Sequence, residues 1–149
     1  MTTLKTGDKA PAFEALNQKG ETIRLSDFKG RKVLLFFYPK ASTPGCTAEA
    51  CNLRDNYGEL QGRGYEVIGV SADTEKKQLG FSEKYELPYN LLADTDRKVI
   101  EAYGVWGPKK FMGREYDGIH RTSFVIDENG VIEEVITKVN TKDHAAQVL

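Results

Sequence analysis

The run KVLLFFY at Lys32–Tyr38 constrains the fold more than any other stretch. Val33–Tyr38 is apolar or aromatic at every position, with no side left over for water. A strand of this kind is covered on both faces, as the inner strands of layered α/β proteins are. It is also far too short to span a bilayer, which takes about 20 residues. The run therefore predicts a central strand in a sheet with helices packed over it.

The neighbouring segments supply the layers. Tyr65–Val70 (YEVIGV) reads as a second core strand and Tyr89–Ala93 as a short one. A helix over Thr74–Tyr85 starts from Asp73 or Thr74, and another over Asp96–Tyr103 stops at Gly104. Thr43 at the N-cap with Pro44 at the first helical position is a helix start, and that helix runs to about Gly62–Gly64. Thr122–Asp127 and Val131–Val139 are two strands joined by the turn Glu128–Asn129–Gly130. Near the N-terminus Asp8–Leu16 begins extended, because Pro11 blocks a helix, and Glu21–Leu25 pairs back through the turn Asn17–Gly20. Ser26–Asp27 caps a short turn before Gly30. A last helix begins at Asp143 and runs out at AAQVL without a Gly or basic cap, as a cut or frayed helix would. The sum is a three-layer α/β sandwich with a mixed sheet, in one domain over residues 1–149.

Composition narrows the function classes. With 40% apolar and 29% charged residues the chain can bury a real core, and disorder is not expected. A net charge of −1 asks for neither nucleic acid nor an anionic membrane as partner. Two cysteines are too few for a secreted disulfide scaffold. No basic or apolar leader precedes TTLKTGDKAPAF, so the expected compartment is the cytoplasm, where thiols stay reduced unless they do redox work.

Both cysteines fall in YPKASTPGCTAEAC, directly after the central strand. With Thr43 as N-cap, Cys46 takes the third helical position, near unpaired N–H groups and the positive end of the helix dipole. That setting favours the thiolate, the nucleophilic form of cysteine. It also lies past the C-terminal end of a buried strand, where open α/β sheets place their sites. The Thr43 hydroxyl can reach the sulfur or its target, and Pro39 and Pro44 stiffen the loop. The bland alternative is a buried, inert Cys46, against which the polar, tight Thr-Pro-Gly-Cys argues.

Cys51 is five residues further along. On an intact helix the two Cα atoms lie about 140° apart around the axis and about 8.7 Å from each other. A disulfide needs roughly 4.4–6.8 Å. A permanent bridge is therefore excluded while the helix stands, and a transient one requires the first turns to unwind, which is inexpensive at a helix end. Cys51 could also simply pack under the helix. The spacing is not the C-x-x-C of a dithiol oxidoreductase, and His120 and His144 are the only other soft ligands, without zinc-like spacing, so no metal or other cofactor is expected. Glu49, one turn after Cys46, either orients a cation near the sulfur or is a solvated first-turn acid. Arg54 and Asp55 read as surface partners of the helix. Arg121, at the entry of a core strand, is either a rim charge or a guanidinium aimed at the thiolate. His120 reads as its exposed neighbour, Trp106 as core or rim, and Lys109, Lys110 and Arg114 as a solvated basic loop or a docking patch.

These residues resemble a peroxiredoxin. The pattern Pro-x-x-x-Thr/Ser-x-x-Cys stands here as Pro39, Thr43 and Cys46, after a core strand and opening a helix. The similarity extends over nearly the whole chain, through DKAPAF, LSDFKG, KVLLFFYPK, YEVIGVSAD, LLAD, AYGV and RTSFVID. The second cysteine five residues on, and GPKKFMGREYDGIHRTSFVID, are similar to the peroxiredoxin Q, or bacterioferritin comigratory protein, group. One departure is Ala41–Ser42, where relatives often carry Asp-Asn. The resemblance implies a thioredoxin-like α/β/α fold with an N-terminal β-hairpin and thiol peroxidase activity on hydrogen peroxide and alkyl hydroperoxides. It implies antioxidant defence, thioredoxin or a similar dithiol as reductant, and a monomer. It also implies Cys46 as the peroxidatic and Cys51 as the resolving residue, joined in a disulfide, with Arg121, Thr43, Pro39 and Glu49 in support. Two rivals stay in view: a thiol–disulfide oxidoreductase, with exchange but no rapid peroxide consumption, and a redox sensor, with one slow oxidation and no turnover.

Overall fold

Lys32–Phe37 forms β3, the middle strand of a five-stranded sheet in the computed structural model, which describes residues 2–149. Before it come β1 (Glu14–Leu16), β2 (Thr22–Arg24) and a 3-10 turn (Leu25–Phe28). After it follow α1 (Pro44–Asp55), α2 (Tyr57–Gly62), β4 (Tyr65–Ser71), α3 (Glu75–Lys84), β5 (Asn90–Ala93) and α4 (Lys98–Ala102). The chain continues through β6 (Trp106–Phe111), β7 (Arg114–Ile119), β8 (Thr122–Ile126), β9 (Ile132–Ile136) and α5 (His144–Val148). The strand order is β5-β4-β3-β8-β9. β3, β4 and β5 run parallel, and β8 and β9 add antiparallel, so the sheet is mixed as expected.

The unbroken apolar run of β3 has a simple cause. Val33, Leu35 and Phe37 face one cluster, with Ile68, Phe124 and Val99 and Ile100 of α4. Leu34, Phe36 and Tyr38 face the other, with Ala50 and Leu53 of α1, Leu60 of α2 and Phe81 of α3. Alternate residues of a strand point to opposite faces, so a strand covered on both needs apolar side chains throughout. Each such side chain contributes about 1.5–3 kcal/mol on burial. β4 passes beside β3 at Gly69, where a Cβ would lie 2.8 Å from Phe36 Cζ and 2.9 Å from Leu91 Cδ2. The absent side chain leaves room for the stacked rings of Phe36 and Tyr38, 5.4 Å between centroids.

The sheet register delivers the site. Phe37, the last residue of β3, pairs with Val70 on one side and Thr122 on the other. Residue 121 therefore reaches the C-terminal end of β3, beside the loop that leads into α1.

Three elements differ from the sequence reading. The helix expected to reach Gly62–Gly64 is two helices, broken at Asn56, whose side-chain amide donates to Asn52 O at 2.8 Å. α4 starts later than Asp96, because Arg97 is left-handed (φ 61°) and Asp94 accepts from the amides of Val99 and Ile100 at 3.3 and 2.8 Å. Lys109, Lys110 and Arg114, read as a solvated basic loop or a docking patch, lie in an antiparallel hairpin over Trp106–Ile119 with Met112 and Gly113 at its tip. Both tip residues have positive φ, 51° and 78°, and Met112 is 86% exposed. The N-terminal hairpin β1–β2 follows the expectation, its turn held by Asn17 Oδ1, which accepts from the amides of Lys19 and Glu21 at 2.9 Å each. Among the described residues no helix is long and apolar enough to cross a membrane.

Candidate active site

Thr43 is extended (φ −86°, ψ 155°) and Pro44 opens α1, so the start is the one the sequence specified. The Thr43 carbonyl accepts the first helical bond, from Thr47 N at 2.8 Å. Its hydroxyl does not cap the helix; it donates to Lys40 O at 2.8 Å and closes the loop Pro39–Thr43 on itself. The loop is tethered to the sheet where Asp73 accepts from Ala41 N at 2.8 Å and from the Ser71 hydroxyl at 2.7 Å. Ser42 within it is left-handed, φ 64°. Pro39 is half-buried at the loop entrance.

Cys46 is only 1% exposed. Its sulfur accepts from Arg121 Nη2 at 3.3 Å, and the same guanidinium donates from Nη1 to Glu49 Oε1 at 2.6 Å. The structure thus brings Cys46, Glu49 and Arg121 together, across 75 residues of sequence in the case of Cys46 and Arg121. Both open readings are decided: Arg121 is turned inward with its side chain 22% exposed, and the Glu49 side chain is fully buried, not a solvated acid. Gly45 makes room for this arrangement, since a Cβ there would sit 3.3 Å from Arg121 Nη2.

The charges are interdependent. Burial pushes the Glu49 carboxyl up to about 7, with the Arg121 charge pulling the other way. Burial works against the charge of Arg121, but Cys46 and Glu49 outweigh it and the guanidinium is held above its ordinary value. A second cation stands nearby: Lys109 of β6, whose ammonium donates to Ile119 O at 2.8 Å. Burial lowers the Lys109 pKa, the Arg121 charge adds to that, and Cys46 opposes it. Sequence reasoning placed Lys109 in a surface patch, because nothing in GPKKFMG marks one lysine of the pair as turned back toward Arg121.

Cys51 is half-buried on the same helix, and both thiols are free. The helix is continuous between them, which is the state in which they cannot join. The next residue, Asn52, binds α5 through Oδ1, accepting from Ala145 N at 2.8 Å, and its amide donates to Lys142 O at 3.2 Å. Tyr89 donates to Ala50 O at 2.7 Å. His120 stays apart, its Nε2 3.0 Å from Pro108 O. Trp106 is a rim residue with the Arg97 guanidinium 4.3 Å above its ring. Arg54 pairs with Asp55 at 2.9 Å on the surface, as expected. His144 was singled out only as a stray soft ligand; it is wholly buried, 3.6 Å from Glu49 Oε2. No local pattern in KDHAAQ announces that.

A thiol buried at a helix start after the central strand of a mixed α/β sheet, held by an arginine, defines a thiol-based oxidoreductase on a thioredoxin-like fold. The chain belongs to the AhpC/TSA family, whose model matches residues 6–135. It is 52% identical over 149 residues to peroxiredoxin Bcp of Escherichia coli, covering all of this chain and 96% of that one. Against peroxiredoxin Bcp of Bacillus subtilis it is 46% identical over 147 residues, covering 99% and 94%. Among solved structures it is similar to peroxidoxin BcpB of Mycobacterium tuberculosis, with TM-score 0.85 at 36% identity over 97% of this chain and 93% of that one. It also matches a cysteine-to-serine variant of Xylella fastidiosa PrxQ, with TM-score 0.93 at 26% identity over 99% and 94%. The enzyme class is accordingly peroxiredoxin, a thiol peroxidase.

Proposed function

We propose that Cys46 is the sulfur that meets the peroxide and that Cys51 resolves it. The observation that carries this is the Arg121 guanidinium spanning the Cys46 sulfur and the Glu49 carboxyl. The thiolate attacks the near oxygen of hydrogen peroxide or an alkyl hydroperoxide in line with the O–O bond. Two electrons move from sulfur, the O–O bond breaks, and the far oxygen leaves as hydroxide or alkoxide, to be protonated to water or alcohol. Arg121 and the free N–H groups at the start of α1 stabilise the charge that passes to that oxygen. Thr43 and Pro39 hold the loop that forms the near wall.

Cys46 is then a sulfenic acid. Fraying of α1 lets the Cys51 thiol attack it, water leaves, and a Cys46–Cys51 disulfide forms. A dithiol protein of the thioredoxin kind reduces that bond by exchange. No metal, haem or flavin takes part, because sulfur supplies both electrons. A relative from Xanthomonas campestris, 29% identical, is described by its alkyl peroxide reduction activity, which supports organic peroxides as substrates here. An intramolecular partner thiol supports a monomer that needs no second subunit to resolve Cys46, and the peroxidase class supports a part in antioxidant defence, with the cytoplasm, where thiols stay reduced, as the compartment.

Mass spectrometry with thiol counting, after one equivalent of hydrogen peroxide, tests the scheme. The expected product has lost two hydrogens, has no free thiol and yields a linked Cys46–Cys51 peptide. An added oxygen on Cys46 with Cys51 free would make this a one-cysteine enzyme with an external resolving thiol. Absence of a fast reaction would remove the role given to Cys46.

A further inference from the structure

Beside Arg121 lies a buried polar cluster of which the scheme above uses only the Glu49 Oε1 contact. Glu49 Oε2 is buried and has no hydrogen-bond partner among the described residues. It faces His144 Nε2 at 3.6 Å, and both side chains are fully buried. The same Nε2 lies 2.7 Å from Ser123 Oγ of β8, and His144 Nδ1 lies 2.7 Å from Gln147 Oε1.

Gln147 assigns the histidine tautomer. Its Oε1 accepts from Asn140 N at 2.9 Å, and its Nε2 donates to Lys138 O at 3.0 Å. Turning the amide over would set N–H against N–H and oxygen against oxygen, so Oε1 faces the ring and Nδ1 carries the hydrogen. A neutral ring held this way presents a lone pair at Nε2. An ionised Oε2 against that lone pair is repulsive and desolvated. A proton on either atom removes the conflict, and the Ser123 hydroxyl can rotate to donate to the neutral ring or accept from the charged one.

The geometry points to His144 as a positioning residue for the reacting thiol. With Glu49 it holds one exchangeable proton behind Arg121, and that proton decides whether the guanidinium serves Cys46 alone or is shared with a carboxylate. The inference rests on Cys46 being the reacting sulfur. Burial raises the Glu49 carboxyl to about 7 and lowers the His144 imidazole. Cys46 and Glu49 face the cluster from α1, Arg121 and Ser123 from the start of β8, and Gln147 from α5. Lys109 acts on it from β6, and the buried phenols of Tyr89 and Tyr38 from beside the sheet. Burial raises both phenols, so neither titrates near neutral pH.

The test is the pH profile of Cys46 alkylation by iodoacetamide between pH 5 and 9, in a Cys51→Ser background so that one thiol reports. The parent profile should be broader than a single-proton curve, because the thiol and the Glu49–His144 pair titrate against each other. Glu49→Gln mimics the protonated carboxyl. It should give a single-proton curve moved to lower pH by about half a unit or more. His144→Gln offers Oε2 an amide donor and keeps Glu49 ionised, so its curve should be single but moved to higher pH. A purely structural loss of Arg121 positioning would move both variants the same way, and that result overturns the inference, as would unchanged profiles.

If His144→Gln fails to fold, long-range 1H–15N spectra of the unmutated, reduced protein decide. The expected ring carries its hydrogen on Nδ1, with a titration midpoint that Cys46→Ser displaces by reciprocal linkage. A hydrogen on Nε2, or a midpoint indifferent to Cys46, overturns it. Peroxide consumption that does not depend on Cys46 would sink the functional reading and leave these titrations standing. Cys46-dependent consumption with uncoupled titrations would sink only the role of His144.

Discussion

Tyr89→Phe should make the enzyme resolve its sulfenic acid faster. The phenol hydroxyl of Tyr89 donates to Ala50 O at 2.7 Å, pinning α1 at the residue just before Cys51. Burial holds that phenol well above its ordinary pKa, so the donor is present at every working pH. Phenylalanine keeps the ring contacts with Phe36 and Tyr57, each at 5.8 Å between centroids, and removes only the hydroxyl. A neutral hydrogen bond is worth about 0.5–1.5 kcal/mol net. If joining Cys46 to Cys51 requires α1 to open first, losing that bond raises the opening equilibrium about two- to twelvefold. Stopped-flow fluorescence from Trp106 at one equivalent of peroxide would follow the events, with quenched thiol counts to identify them. The peroxide-dependent phase should be unchanged and the concentration-independent phase should accelerate by that factor. A second phase that stays the same or slows, while urea unfolding shows the expected loss of stability, refutes the idea that opening of α1 gates resolution.

Glu49→Gln carries a pH signature in stability. The Glu49 carboxyl titrates at about 7 when folded against an ordinary 4.5, so between those values the folded state binds the proton more tightly. Wild-type stability from this group is therefore fully present below pH 4.5 and lost as pH rises through 7, whereas glutamine has no such slope. Urea unfolding of the two proteins should converge or cross in favour of the variant with rising pH, by at most about 3 kcal/mol; His144, lowered by burial, slopes the other way. Gly45→Ala places a Cβ 3.3 Å from Arg121 Nη2, tighter than ordinary contact, so the guanidinium must move by a few tenths of an ångström. It should cut the peroxide rate on the order of tenfold with little change in melting temperature, and an unaltered rate would mean that Arg121 does not act from this position.

Much of this was readable before the coordinates. The core strand, the helix start at Thr43–Pro44 and the place of Cys46 rest on local signals: an unbroken apolar run and a cap with proline behind it. The β6–β7 hairpin was not readable, for two physical reasons. Its strands are largely exposed and pair mainly with each other, so no alternation of apolar and polar residues is required. Its two-residue turn needs positive φ at both positions, and Met112 stands where Asn or Asp would have signalled it. The residues alone leave the inward turn of Arg121 and the burial of Glu49 open, because each depends on the other across the sheet; only the peroxiredoxin resemblance places both beside Cys46. His144 lies further out still, since only the docking of α5 onto α1 through Asn52 brings it behind the carboxyl.

Met112 at the hairpin tip gives the molecule a second sulfur with the opposite exposure. Cys46 is shielded and lies against the Arg121 guanidinium, while the Met112 thioether stands in open solvent, where peroxide converts methionine to the sulfoxide. The tip therefore behaves as a dosimeter. While peroxide is being consumed the tip should stay unoxidised, and once the reductant runs out it should gain one oxygen, which peptide mass spectrometry would read. An added mass of one oxygen on the intact chain, which has two cysteines and two methionines, then does not by itself report on Cys46, and only the peptide that carries it does.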